Sequence, residues 1–99
     1  IASSDVRAPI VDDILDKDNK TLKLVAEMPG IEKNDIKITV EDKSVHISAE
    51  NDKRKYKTKT PLKYKVDENS AKASYANGIL EIRFTLAEEK PKGKQIAVD

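Results

Sequence analysis

Residues 71–86, Ala71-Lys72-Ala73-Ser74-Tyr75-Ala76-Asn77-Gly78-Ile79-Leu80-Glu81-Ile82-Arg83-Phe84-Thr85-Leu86, decide the fold class. Asn77-Gly78 is the strongest hairpin signal in the chain, because a two-residue turn between twisted strands needs positive backbone angles that Asn and Gly tolerate. After the turn Leu80, Ile82, Phe84 and Leu86 alternate with Glu81, Arg83 and Thr85. Before it Ala71, Ala73 and Tyr75 share one parity in a short strand. A period of two is the mark of a strand with one face buried and one in water.

The same period runs outward from this hairpin. Leu22, Leu24, Ala26 and Met28 fall on one face of a strand that Pro29-Gly30 ends. Residues 31–35 leave room for a short turn. Ile36, Ile38 and Val40 alternate with Lys37, Thr39 and Glu41, and after a turn at residues 41–43 Val45, Ile47 and Ala49 alternate with Ser44, His46, Ser48 and Glu50. Asn51-Asp52-Lys53 reads as a tight polar connection. Tyr56, Thr58, Thr60, Leu62, Tyr64 and Val66 then share a parity, with Pro61 on the opposite one, which marks an edge strand or a nearby strand end. Residues 67–70 read as a turn. Several short strands with no long helical pattern predict an all-β, immunoglobulin-like β-sandwich of about seven or eight antiparallel strands.

Ninety-nine residues allow one domain at most. Residues 1–8 carry no pattern and read as the remnant of an N-terminal arm, residues 9–87 as the folded domain, and residues 88–99 as a C-terminal extension. Within residues 87–95 (AEEKPKGKQ) charge, Pro and Gly predominate, so the segment reads as a flexible linker. Apolar character returns at Ile96-Ala97-Val98, and alternate residues of an extended segment share a face, so Ile96 and Val98 form a pair of knobs on one side.

Composition narrows the function classes. With 19 basic and 18 acidic residues the net charge is +1, which aims no strong field at nucleic acid or membrane. The basic run Lys53, Arg54, Lys55, Lys57, Lys59 is a local exception and reads as the solvated face of a hairpin, where lysines also discourage edge-to-edge aggregation. The chain has no cysteine and hence no disulfide or thiol chemistry. His46 is the sole histidine and lacks companions for a metal site. Asp12, Asp13, Asp16 and Asp18 do not have the spacing of a calcium loop and read as a solvated turn. No nucleophile elbow and no phosphate-cradling glycine run occurs, since Gly30, Gly78 and Gly93 stand far apart. No enzyme, no cofactor and no metal is expected.

Three stretches together resemble the α-crystallin-type small heat-shock proteins. Ala26-Glu27-Met28-Pro29-Gly30-Ile31, followed by Asp35-Ile36, is similar to the family's strand-ending turn. Ala73, Asn77, Gly78, Ile79 and Leu80 match the family's signature "Ala-x-x-x-Asn-Gly-Val/Ile-Leu". Ile96-Ala97-Val98 looks like its C-terminal Ile-x-Ile/Val motif. The resemblance implies an ATP-independent holdase of the stress response that keeps partly unfolded proteins from aggregating. It further implies a homo-oligomer in which Ile96 and Val98 dock in a neighbour's edge groove, walled by Ile36, Ile38 and Val40 on one strand and Ala71, Ala73 and Tyr75 on the other. Clients and other copies of the chain are the expected partners, with no nucleic acid and no membrane, in the cytoplasm. The connection at residues 51–54 is shorter than the long loop that exchanges a strand in prokaryotic-type members, and in this the chain also looks like the CS or p23-type co-chaperone domain, which binds a folded partner. The Ile-x-Val end favours the small heat-shock reading.

Overall fold

A computed structural model describes residues 6–87 and 96–99. Eight strands occur among them: β1 (Val6–Arg7), β2 (Val11–Asp16), β3 (Thr21–Glu27), β4 (Ile36–Glu41), β5 (Ser44–Glu50), β6 (Lys55–Pro61), β7 (Val66–Ala76) and β8 (Ile79–Leu86). A single 3-10 turn, Lys33–Asp35, leads into β4. The strands form two four-stranded sheets, β1-β6-β5-β4 and β2-β3-β8-β7, packed as a sandwich.

The alternation in the sequence is what builds the core. Leu22, Leu24 and Ala26 of β3, Val45, Ile47 and Ala49 of β5, and Leu80, Ile82 and Phe84 of β8 all point inward and are buried, together with Met28 and Tyr56. In register, Leu24 pairs with Ile82 and Leu22 with Phe84, so side chains of one parity meet on one face of each sheet. Each fully buried Leu, Ile or Phe of this set is worth about 1.5–3 kcal/mol relative to exposure. The intervening residues Lys23, Glu81 and Arg83 face water and join in ion pairs, Lys23 to Glu81 at 3.6 Å and Arg83 to Glu81 at 2.7 Å.

Four features depart from the sequence reading. Val6–Arg7 forms a strand, parallel to β6 through Lys55 and Tyr56, so the sandwich is not wholly antiparallel. Asp12, Asp13 and Asp16 lie on β2, which pairs with β3 along its whole length, and only Asp18 of the four lies in an exposed turn. Only Val11 and Leu15 of β2 pack on the core, and Ile14 is turned to solvent, which is why its apolar pattern is weak. The face drawn from Tyr56 to Val66 is interrupted: β6 stops at Pro61, and Tyr64 is exposed. Finally, β7 takes in residues 67–70 as an irregularity between Asp67 and Lys72. Turn chemistry persists inside it, as the Asn69 N–H donates to Asp67 Oδ1 (3.0 Å), the Ser70 hydroxyl donates to the Asp67 carbonyl (2.6 Å), and Ser70 Oγ accepts from the Thr85 N–H (2.8 Å).

Candidate functional site

Asn77 and Gly78 adopt φ of 52° and 79°, the left-handed angles that a two-residue hairpin turn between β7 and β8 requires. The turn also reaches a second motif. The Gly78 carbonyl accepts the Met28 N–H at 2.7 Å, and a Cβ at Gly78 would lie 3.4 Å from Pro29. The two sequence motifs, Pro29-Gly30 and Asn77-Gly78, are therefore one packed unit.

That unit is fastened from both sides. Tyr75 donates its hydroxyl to the Met28 carbonyl at 2.6 Å and lies 3.3 Å from the Ile31 carbonyl. Tyr56 donates to the Pro29 carbonyl at 2.6 Å, and Arg54 Nη1 reaches the same oxygen at 3.1 Å. Asn51 Nδ2 donates to the Gly30 carbonyl at 2.8 Å, while Asn51 Oδ1 accepts the N–H groups of Lys53 and Arg54. The short connection at residues 51–54 is thus folded back onto the Pro29-Gly30 turn. Asn51, Arg54 and Tyr56 were not singled out in the sequence for this role, since nothing in their spacing announces a partner more than 20 positions away.

With the turn fixed, β4 and β7 stand as the edge strands of their respective sheets on the same side of the sandwich. Between them runs a groove of about 170 Å³ lined by Lys33, Ile36, Ile38, Ala73, Ser74, Tyr75 and Leu80. Drug-sized ligands occupy roughly 300–1,000 Å³, so this groove suits one or two aliphatic side chains and not a cofactor. Ile36 and Ile38 are half-buried and pack on the core, Leu80 is buried at the floor, and Ala73 is exposed on the wall. Because β4 and β7 are edges, each carries backbone N–H and C=O groups with no neighbouring strand, which an extended peptide could pair with.

Of the six groove residues named from the sequence, the structure brings Ile36, Ile38, Ala73 and Tyr75 together. Val40 sits further along β4, opposite Val45 and against the core. Ala71 lies within the irregular part of β7, exposed and without a register partner in β8. Ser74, Lys33 and Leu80 also line the groove. Leu80 was legible as a core residue, but its place at the groove floor depends on the two sheets meeting. In the signature turn Ile79 faces outward and is 43% exposed. Ile96 and Val98 are 79% and 95% exposed, so the tail does not cover its own chain's groove. The linker at residues 88–95 lies outside the described residues.

No group of three or more potential metal-ligating side chains occurs among the described residues, and no helix among them is long and apolar enough to cross a membrane. The Asp16 carboxyl is held below its ordinary pKa, mainly by the backbone N–H of Asn19 and then by its side-chain amide. Glu81 is likewise lowered, first by its hydrogen bond from Arg83.

The family model described as "Hsp20/alpha crystallin family" matches residues 13–99, which takes in the hairpin, both groove strands and the Ile96-Ala97-Val98 end. The chain belongs to that family. It is a family of small heat-shock chaperones and not of enzymes. The small heat shock protein, chloroplastic, of Oxybasis rubra is 33% identical over 96 residues, covering 84% of this chain and 46% of that protein. A probable 15 kDa heat shock protein of Leptospira interrogans is 30% identical over 107 residues, covering 94% of this chain and 79% of that protein. The chain therefore spans about half the length of the first of these relatives. Heat shock protein 16.0 of Schizosaccharomyces pombe shares the fold, with a TM-score of 0.74 and 20% identity, over 100% of this chain and 80% of the other. The sandwich expected from the alternating pattern is the family's fold.

Proposed function

We propose that the chain is an ATP-independent holdase that assembles by inserting its C-terminal end into the β4–β7 groove of a neighbour. The single observation that supports this most is the pairing of an apolar edge groove, sized for one or two aliphatic side chains, with an exposed Ile96-Ala97-Val98 end. Ile96 and Val98 would lie two residues apart on one side of an extended segment, one over Ile36 and Ile38, the other toward Ala73 and Tyr75. Backbone pairing with an open edge strand supplies affinity, and the two knobs supply register.

The same surface explains capture. Partly unfolded proteins expose apolar side chains and unpaired strand edges. An open groove between two edge strands offers both kinds of contact. Binding such chains lowers the free concentration that aggregates, by mass action and without chemistry. Tail and client would compete for one groove, so release of the tail opens the site. A cytoplasmic place of action is part of the proposal. The family match runs through Asp99 and so includes the tail, which favours an assembling chaperone over a CS or p23-like adaptor, for which such an end has no use.

The test is the solution mass of the chain and of an Ile96→Ser/Val98→Ser variant, by light scattering over a range of concentrations. The proposal predicts a mass above monomer that falls in the variant. An identical mass in both would remove the tail from the account.

A further inference from the structure

The even charge balance of the chain pointed away from membranes, but the fold distributes that charge unevenly. Between Asp52 and Asp67 the sequence holds seven basic residues, Lys53, Arg54, Lys55, Lys57, Lys59, Lys63 and Lys65, and no acidic one. Folding turns Arg54 inward onto the Pro29-Gly30 turn and sets Lys55, Lys57 and Lys59 on the outer face of β6, all exposed.

Cross-strand register adds a fourth lysine from a distant part of the chain. Lys37 of β4 pairs with Ser48 of β5, which pairs with Lys57 of β6, so the three lie in one row across the sheet. Thr39, His46 and Lys59 make the next row. With strands about 4.8 Å apart and alternate residues about 7 Å apart, Lys37, Lys57 and Lys59 fall within a patch roughly 12 Å across. Asp35 (beside Lys37 and Lys57), Glu41 and Glu50 are the acidic side chains of this face, and Glu50 is 3.9 Å from Lys55. The ion pairs of the described residues leave out Lys37, Lys57 and Lys59.

The outer face of the other sheet is different. There Lys23, Lys72 and Arg83 stand among Asp12, Asp16, Glu27 and Glu81, and Lys23 and Arg83 both pair with Glu81. The opposite face thus has its basic Lys23 and Arg83 tied to a carboxylate, whereas Lys37, Lys57 and Lys59 of the β4–β5–β6 face stand outside the ion pairs of the described residues.

We propose that the outer face of the β4–β5–β6 sheet docks on an anionic phospholipid surface. The chemistry of the face selects this partner. It is an array of lysines on one sheet face, compact and strongly hydrated point charges that suit many shallow phosphate contacts. No aromatic side chain stands in its rows, Tyr56 being buried, so it lacks the stacking platform on which single-stranded nucleic acid relies. The rows of β4, β5 and β6 carry no large apolar side chain, and Val6 of β1, beside Lys55, is the exposed apolar neighbour, so the contact is mainly electrostatic, reversible and salt-sensitive. Docking by this face leaves the β4–β7 groove, on the edge of the sandwich, uncovered and lateral to the membrane. This inference stands independently of tail docking.

The experiment is co-sedimentation of the full chain with vesicles of phosphatidylcholine alone and of equimolar phosphatidylcholine and phosphatidylglycerol, at low and high salt. Lys57→Glu/Lys59→Glu is compared with Lys23→Glu/Lys72→Glu, which makes the same change of charge on the opposite face. Far-UV circular dichroism checks that each variant is folded. Binding to the anionic vesicles alone, lost at high salt, is expected. It should fall at least about 30-fold in Lys57→Glu/Lys59→Glu, from the contribution of two lysines near an anionic surface, and much less in the other variant. Equal binding to neutral vesicles would overturn the proposal, as would an equal loss in both variants. So would displacement of the wild-type chain from the vesicles by a single-stranded DNA homopolymer at a lower phosphate concentration, which would reassign the face to nucleic acid.

Discussion

Replacing Ala73 with leucine fills the groove from its own wall. Ala73 is exposed and lies opposite Ile36 and Ile38, in a space of about 170 Å³. A leucine side chain there adds three carbons over the apolar walls and occupies much of the volume available to one tail side chain. Burying an Ile or Val side chain is worth about 1.5–3 kcal/mol. Excluding one of the two knobs therefore weakens tail docking by about 10- to 150-fold. The core is untouched, because the new atoms lie outside it, and the stability change stays within about 0.5 kcal/mol, as for other surface substitutions. The assay is a fluorescence titration of a labelled peptide of residues 95–99 against a receiver carrying Ile96→Ser/Val98→Ser, so that no resident tail competes. The same titration is repeated with Ala73→Leu added. Equal peptide affinity in the two receivers, at equal thermal midpoints, would refute the placement of the tail in this groove.

Two further outcomes follow from the turn and the acidic groups. Gly78→Ala forces a side chain into φ +79° and brings a Cβ to 3.4 Å from Pro29; the left-handed strain of about 1–2 kcal/mol should lower the thermal midpoint by at least several degrees, and an unchanged midpoint would contradict the hairpin geometry. Asp16 has a folded-state pKa depressed below its ordinary 3.8, so its contribution is present above that value and is lost as pH falls through the lower folded one. Thermal midpoints of Asp16→Asn should therefore vary less steeply with pH across that range than those of the wild type, and parallel curves would count against the Asn19 hydrogen bonds as the cause.

The parts of the fold that were legible are those with strict alternation. β3, β5 and β8 each bury every second residue, and their parity alone named nine of the core side chains. The Asn77-Gly78 turn was legible because two left-handed residues in a row have few other uses. β2 was not legible, because three aspartates in six residues look like a loop, while its stability comes from pairing with β3 and from only Val11 and Leu15 inside. The strand Val6–Arg7 is too short to leave a pattern, and it depends on the edge of β6, more than 45 positions away. The groove was legible in part. Ile36, Ile38, Ala73 and Tyr75 follow from strand parity, but the irregularity between Asp67 and Lys72 moves Ala71 away, and no local signal in residues 67–71 fixes where that register shift falls. Likewise the run of lysines was visible in sequence, but Lys37 joins it only through the register of three strands.

The proposed function requires this chain to restrain aggregation without nucleotide, through the groove in which its tail is proposed to dock. The most direct test is turbidity of a heat-denatured client with the chain added at increasing molar ratio, in the absence of ATP, alongside the Ala73→Leu variant. Turbidity should fall progressively as the wild-type chain approaches the client's concentration, and Ala73→Leu should be markedly less effective. A client that aggregates to the same extent with and without the chain at every ratio would contradict the proposed function.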